Sequence, residues 1–340
     1  MELDNSFEDL SRWGLNTHSF LSLYADVHHF RTAGADGYVP YVETDKLILV
    51  AGEPITSDAD FQLLVRGLMK FAAQRKKRLG MLPASGRKRA ELEALGFDSI
   101  FIGKEPMFDL NNVPKFSKSI RNAVGRTARN GLRVVGFEEK YREQIKNLSA
   151  TWQETREMPA MQFLFQLRPL ALQQHKKYFL AVDADDELRG FLACSPILGK
   201  NGWYLEDLMR ADNSPNGVSE LLLTTAMQTL AAEGFDVATL AIAPLAGLPD
   251  KDENHPWLNK LLRLSYKHLS WIYHFQTLEF FKGKFKPNYW EPNYFYIYPA
   301  GVDLILVKDL LEAFLGKSIF AIVTHKAKRL LPAARQTEVA

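Results

Sequence analysis

Three stretches of this sequence gather residue types that can act on charged organic molecules. In the first, Leu205-Glu206-Asp207-Leu208-Met209-Arg210 places two acids and an arginine at the end of a β-rich run. Ser214-Pro215-Asn216-Gly217 follows and leads into a helical pattern. A strand that ends in such a turn leaves backbone N–H groups open at the helix N-terminus, where phosphate or another anion is favoured. Asn and Gly also make ordinary helix caps. Asn216 and Gly217 are therefore read either as anion-binding residues or as a cap. The second stretch, Ala241 to Gly247, ends a strand with small residues and a proline. It suits a tight turn or the close approach of another group. The third, Phe275 to Pro292, threads Lys282, Lys284 and Lys286 through an aromatic-rich segment. Ammonium groups beside aromatic faces suit an anionic group with an organic body. The same pattern also fits an aromatic core with solvated lysines.

A fourth segment, Lys115 to Arg133, holds Lys115, Lys118, Arg121, Arg126, Arg129 and Arg133 and no acid. It is either a solvated helix face or a phosphate-binding surface, with Arg121, Arg126 and Arg129 as its contacts. The histidines show no metal spacing: His28 and His29 are adjacent, and His268 and His274 are six apart. The lone cysteine, Cys194, sits in an apolar run and reads as a core residue. No metal site is expected. A Gly-x-Ser-x-Gly elbow and a phosphate-loop lysine motif are both absent from the sequence.

These segments need a frame to hold them. Tyr38–Val42 and Lys46–Val50 read as a hairpin, followed by an amphipathic helix over Asp58–Lys77. A strand at Leu79–Leu82, a helix closed by Gly96, and strands at Ser99–Ile102 and Met107–Leu110 come next. The pattern then repeats. Tyr178–Val182 and Leu188–Cys194 flank an acidic turn, Trp203–Leu208 is a strand, and a helix over Gly217–Ala232 leads to a strand at Val237–Ile242. Trp257–Leu269 is helical. Val302 to Leu331 reads as two helices broken near Gly316. The expectation is an α+β fold of two similar lobes, residues 1–135 and 136–300, with a basic helical tail over 301–340.

The chain has 340 residues, 46% of them hydrophobic, which is enough for two cores. A net charge of +2 does not by itself point to nucleic acid. The sequence opens Met-Glu-Leu-Asp without an apolar signal core, and no run reaches the ~18 apolar residues of a spanning helix. The expected location is cytoplasmic, with room for peripheral contact on the inner face of a membrane. The tail supports that contact. Ile319, Phe320, Ile322 and Val323 lie beside Lys326, Lys328 and Arg329, a pattern that fits either a membrane-surface helix or one docked on the body.

The order and spacing of several motifs resemble the C-terminal catalytic domain of lysyl-phosphatidylglycerol synthases. They are Asp207-Leu208-Met209-Arg210, Pro215-Asn216-Gly217-Val218, Ala243-Pro244-Leu245 and Phe281-Lys282-Gly283-Lys284-Phe285, then Pro287 and Trp290-Glu291-Pro292. Phe101-Ile102-Gly103-Lys104-Glu105-Pro106 and Ser119 to Val124 resemble that family's inter-lobe region. The likeness covers most of positions 36 to 298. It implies two tandem lobes of the acyl-CoA N-acyltransferase (GNAT-like) type, with mixed sheets flanked by helices. It also implies transfer of an amino acid from aminoacyl-tRNA to the hydroxyl of phosphatidylglycerol, or of a related lipid acceptor, with no separate cofactor. Well-known members carry a large N-terminal membrane domain, and none is expected in this sequence.

On that reading Asp207 holds the cationic α-amino group of the aminoacyl ester. Arg210 and Lys282 bind phosphate or the oxyanion, with Lys284 beside them. Glu206, next along an alternating strand, is expected on the opposite face in a structural role. Two other functions compete. One is a coenzyme A-dependent N-acetyltransferase of the same fold, although Arg210 to Gly217 lacks the glycine spacing of a pyrophosphate loop. The other is a non-catalytic protein that binds RNA or membrane.

Overall fold

In the computed structural model, residues 2–155, 167–250, 254–268 and 275–315 are described. The expected hairpin is β2 (Val39–Glu43) and β3 (Leu47–Ala51), extended at its edge by β1 (His28–Phe30). Every side chain of β3 is buried, because one face meets helix α2 (Phe61–Gln74) and the other a second apolar cluster. The α2 crossover returns the chain to β4 (Arg78–Ser85), parallel to β3. After the short helix α3 (Arg89–Ala94), β5 runs unbroken from Asp98 to Asp109. The two short strands expected there are one, because Gly103 at φ +145° and the adjacent register shift bend the strand without ending it.

Helix α4 (Lys118–Arg129) carries the arginine-rich segment, and β6 (Arg133–Val135) and α5 (Arg142–Thr155) follow. The second unit repeats the first. An antiparallel hairpin of β7 (Lys177–Val182) and β8 (Leu188–Ile197) leads to β9 (Gly202–Arg210). Helix α6 (Val218–Ala232) then crosses to β10 (Val237–Thr239), parallel to β9. The short strand β11 (Ala243–Pro244), helices α7 (Pro256–His268) and α8 (Phe275–Gly283), strand β12 (Tyr289–Tyr298) and helix α9 (Leu304–Leu315) complete the described chain.

Strands from both units form one mixed sheet in the order β1-β2-β3-β4-β12-β5-β10-β9-β8-β7-β6. The late strand β12 inserts between β4 and β5 of the first unit and is antiparallel to both. In turn β5 pairs with β10 of the second unit. Each unit is therefore completed by a strand from the other, and the seam between them is hydrogen-bonded backbone. Separate apolar clusters lie under α2 and α6, on α5, and beneath α7 and α9. The second half of the basic tail, expected as a membrane-surface or docked helix, lies outside the described residues.

Candidate active site

Strand β9 holds the acids, and a bulge decides where they point. Ala193 of β8 pairs with Asp207, and the next residue, Cys194, pairs with Leu205. Glu206 is thus the extra residue in β9. The bulge inverts the alternation. Leu205 and Leu208 both meet the cluster under α6, whereas Met209 packs with Phe191 on the α5 face. Glu206 and Asp207 are left on that same α5 face. The sequence expectation that they point to opposite faces is corrected by this one inserted residue.

The two acids have different surroundings. Glu206 accepts from Lys176 Nζ at 3.0 Å and from the Ser195 hydroxyl. The Lys176 side chain is fully buried. Burial opposes its charge, yet Glu206, Tyr24 and Asp207 hold its pKa above the usual range. Asp207 is only 4% exposed, and its Oδ2 has no hydrogen-bond partner. Burial, reinforced by neighbouring Glu206 and opposed by Lys176, pushes its pKa up to about 8. One acid is locked into the fold, and the other keeps a free acceptor oxygen.

Lys282 approaches from the last turn of α8 and is also buried. Its Nζ donates to Ala241 O at 2.9 Å and Ile242 O at 2.7 Å. Those carbonyls face it because the chain turns sharply after β10, with Ala241 at φ +58° and Leu245 at φ +59°. The Ala241–Gly247 stretch is thus a tight turn that seats a lysine. Burial lowers the Lys282 pKa to about 7, with Glu105 acting in the opposite direction.

Glu105, from the middle of β5, sits at the seam. One of its oxygens accepts from Thr17 at 2.5 Å and Thr239 at 2.6 Å, and the other faces Asn293 at 3.5 Å. The Thr239 hydroxyl also accepts from Ala241 N–H at 3.1 Å, so Glu105 braces the turn that seats Lys282. His18 links the two groups. It is buried with Nδ1 unpartnered, and its ring lies 5.7 Å from that of Tyr204 on β9. Burial lowers its pKa, while Glu105 and Glu206 raise it and Lys282 lowers it further. The histidine therefore lies within electrostatic reach of Glu105, Glu206 and Lys282.

Next to Glu105 opens a cavity of about 380 Å³ lined by Glu53, Glu105, Glu291, Asn16, Asn293 and Lys200, with Arg87 and Arg89 at its wall. Arg87 is paired with Asp58 and Arg89 with Glu93, neither of which lines the cavity. Burial raises the Glu291 pKa against the pull of Lys200, 3.6 Å away. Three carboxylates face one lysine, so the lining favours a cation.

The remaining predicted residues lie elsewhere. Arg210 is exposed at the end of β9. Lys284 is paired with Glu220 at 2.7 Å, in the first turn of α6. Asn216 is exposed, and Gly217 caps α6 at φ +110°, a conformation that favours glycine. A Cβ on Gly217 would also lie 2.8 Å from Ala123 O. The capping loop therefore adjoins α4, whose Arg121, Arg126 and Arg129 are exposed. Among the described residues, no group of three or more His, Cys, Asp or Glu is placed to hold a metal ion.

Sequence reasoning missed His18, Lys176 and Thr239, and gave Glu105 no role although its motif stood out. Thr17 and Glu105 are 88 residues apart and Glu105 and Thr239 are 134 apart, so only the folded sheet brings them together. The local signal was a polar run, Asn16-Thr17-His18-Ser19, between Leu15 and Phe20.

Comparison with known proteins settles the family. The sequence profile described as phosphatidylglycerol lysyltransferase, C-terminal, matches residues 7–297. The chain belongs to this family. It is 21% identical over 326 residues to the phosphatidylglycerol lysyltransferase of Bacillus subtilis (strain 168). That match covers 91% of this chain but 36% of the relative, so the chain spans about a third of that protein. The fold matches the C-terminal domain of a lysylphosphatidylglycerol synthetase from Agrobacterium fabrum, with TM-score 0.77, 18% identity, and 93% and 97% of the two chains covered. L-PGS from Bacillus licheniformis gives TM-score 0.75 at 18% identity, covering 96% of each chain. FemX follows at TM-score 0.56 and 10% identity, over 92% of this chain and 98% of that one. The two-unit acyltransferase-like fold expected for lysyltransferase C-terminal domains is the fold observed.

Proposed function

We propose that this phosphatidylglycerol lysyltransferase-family chain moves an aminoacyl group from aminoacyl-tRNA to a hydroxyl of phosphatidylglycerol or a related anionic lipid. The observation that carries the reading is a pair of buried groups: Asp207, with one unpartnered carboxylate oxygen, and Lys282, with two N–H groups already engaged. An aminoacyl ester brings an α-ammonium beside a carbonyl. Asp207 Oδ2 is the acceptor for that ammonium, and the incoming charge replaces the missing partner of the carboxylate.

With two N–H groups on backbone carbonyls, the neutral Lys282 amine directs its lone pair away from them. A pKa near 7 makes that form available at neutral pH. The amine takes the proton of the acceptor hydroxyl as its oxygen attacks the ester carbon. The resulting ammonium then donates to the oxyanion. Collapse breaks the ester bond to the ribose, and the proton passes to the departing ribose oxygen. One ester replaces another, so positioning supplies much of the catalysis. Glu105 and Thr239 hold the turn that aims Lys282.

The exposed arginines of α4, the adjoining Asn216-Gly217 loop and Arg210 are the surface for the tRNA phosphates and the lipid phosphate. The cavity lined by Glu53, Glu105 and Glu291 is suited to a cationic amino-acid side chain. Attachment at the inner face of a membrane completes the scheme, since acceptor and donor then meet at the bilayer surface. Lipid mass spectrometry of cells with and without the gene tests it: an aminoacylated phospholipid that disappears on deletion supports the reading, and an unchanged lipid profile rejects it.

A further inference from the structure

Helix α7 carries an apolar stripe on its outer side. Trp257, Leu261 and Leu264 are 45%, 41% and 55% exposed. They stand at i, i+4 and i+7, one face of a helix. Lys260 and Lys267 are exposed along with them. The opposite face is anchored. Leu258 and Leu262 pack into the cluster that holds Phe295 and Ile297, and Asn259 donates to Pro249 O at 3.2 Å. The stripe therefore belongs to a helix fixed from behind.

Two further apolar side chains are exposed on helices that contact α7. Tyr266 of α7 donates to Glu279 of α8 at 2.5 Å, and the next residue, Phe280, is 73% exposed. On α9, Leu306 joins the cluster beneath α7, and adjacent Ile305 is 66% exposed. Scattered exposed apolar residues are common, but an indole and two leucines in line between lysines have the composition of an interfacial helix. Long lysine side chains reach to headgroup phosphates while apolar groups enter the acyl boundary, and tryptophan favours that level. Pro256–His268 has three lysine and arginine residues and no acid, and among the described residues Arg263 is paired with Asp250.

We propose that the outer face of α7, with Phe280 and Ile305, docks the protein on an anionic bilayer. The choice of lipid over a protein partner follows from that charge and rests in part on the lipid-acceptor reading above. Asp207 and Lys282 are themselves buried and are not part of this exposed face.

Co-sedimentation of the full chain with phosphatidylcholine vesicles, with and without phosphatidylglycerol, tests the proposal. The variant Trp257→Ser/Leu261→Ser/Leu264→Ser should stay folded with a modest fall in melting temperature, because each replaced side chain is about half exposed and α7 is anchored by its other face. Its partition onto phosphatidylglycerol vesicles should fall by about tenfold or more. Lys260→Gln/Lys267→Gln should weaken binding and reduce its salt sensitivity. The triple variant should lose transfer to vesicles and keep transfer to a short-chain phosphatidylglycerol dissolved as monomer. If the parent transfers to neither acceptor but the triple variant alone loses vesicle binding, the transferase reading fails and the docking face stands. A triple variant that pellets like the parent overturns the docking face. So does a concentration-dependent dimer of the parent that the substitutions abolish without changing vesicle binding.

Discussion

Glu206 and Asp207 are consecutive in β9, yet both carboxylates leave the sheet on the α5 side, because β9 has one residue more than β8 between the Asp207–Ala193 and Leu205–Cys194 pairs. Two like charges side by side cannot both ionise cheaply under burial. Lys176 settles the competition by pairing with Glu206, which leaves Asp207 Oδ2 without a partner.

Stability should record that arrangement. The folded-state pKa of Asp207, about 8, lies above its ordinary value of 3.8. The folded protein therefore binds more protons than the unfolded chain between those limits, and this contribution to stability is lost as pH rises through them. Asp207→Asn removes the loss. The variant should gain on the parent as pH rises from the ordinary aspartate range, and the gain should stop once Asp207 is ionised in the folded parent as well. Denaturant melts across that range check it, and the same variant should bind the aminoacyl donor poorly.

Lys282 should control the pH profile of turnover. On the proposed mechanism its amine is the base, so kcat, which reads the donor-bound state in which Asp207 already has its counter-charge, should rise with pH through about 7 and level off above. Lys282→Met should cost about 3–4 kcal/mol in the barrier, on the order of a hundred- to a thousandfold in rate. Lys282→Arg keeps the charge but has no accessible neutral form, so it should fail to restore the rate. Steady-state rates from pH 6 to 9 decide the point.

The α4 surface makes a separate prediction. Arg126→Glu/Arg129→Glu should weaken tRNA binding and flatten its dependence on salt, by roughly one unit of slope for each phosphate the arginines no longer neutralise. Filter binding at several salt concentrations reads the slope. An unchanged slope would make α4 a solvated face. Arg210→Ala should lower transfer without changing the melting temperature, since its side chain is exposed.

The acidic cavity predicts selectivity. Glu291→Gln and Glu53→Gln should each reduce kcat/KM for a lysyl donor more than for an alanyl donor. Competition assays with the two charged tRNAs give the ratio directly.

Much of this frame was legible in the sequence because it is locally encoded. The β-rich runs of the β2–β3 hairpin, the 3.6-residue period of α2 and the acidic turn between β7 and β8 are patterns that neighbours in sequence determine. Motif order likewise pointed to Asp207 and Lys282. The insertion of β12 between β4 and β5 was not legible, since no local period specifies a strand's partner. The β9 bulge was hidden for a related reason: an inserted residue leaves no mark unless the register against β8 is known. Lys176 and His18 lie far along the chain from the motifs they serve, and ordinary lysine and histidine positions look the same.

The most direct test of the account is a purified transfer reaction, in which the full chain is incubated with radiolabelled lysyl-tRNA and phosphatidylglycerol vesicles and the lipid extract is separated. The account predicts a labelled, aminoacylated phosphatidylglycerol with the parent protein and its loss with Lys282→Met. Label that stays on tRNA with the parent, or equal transfer by parent and variant, would contradict it.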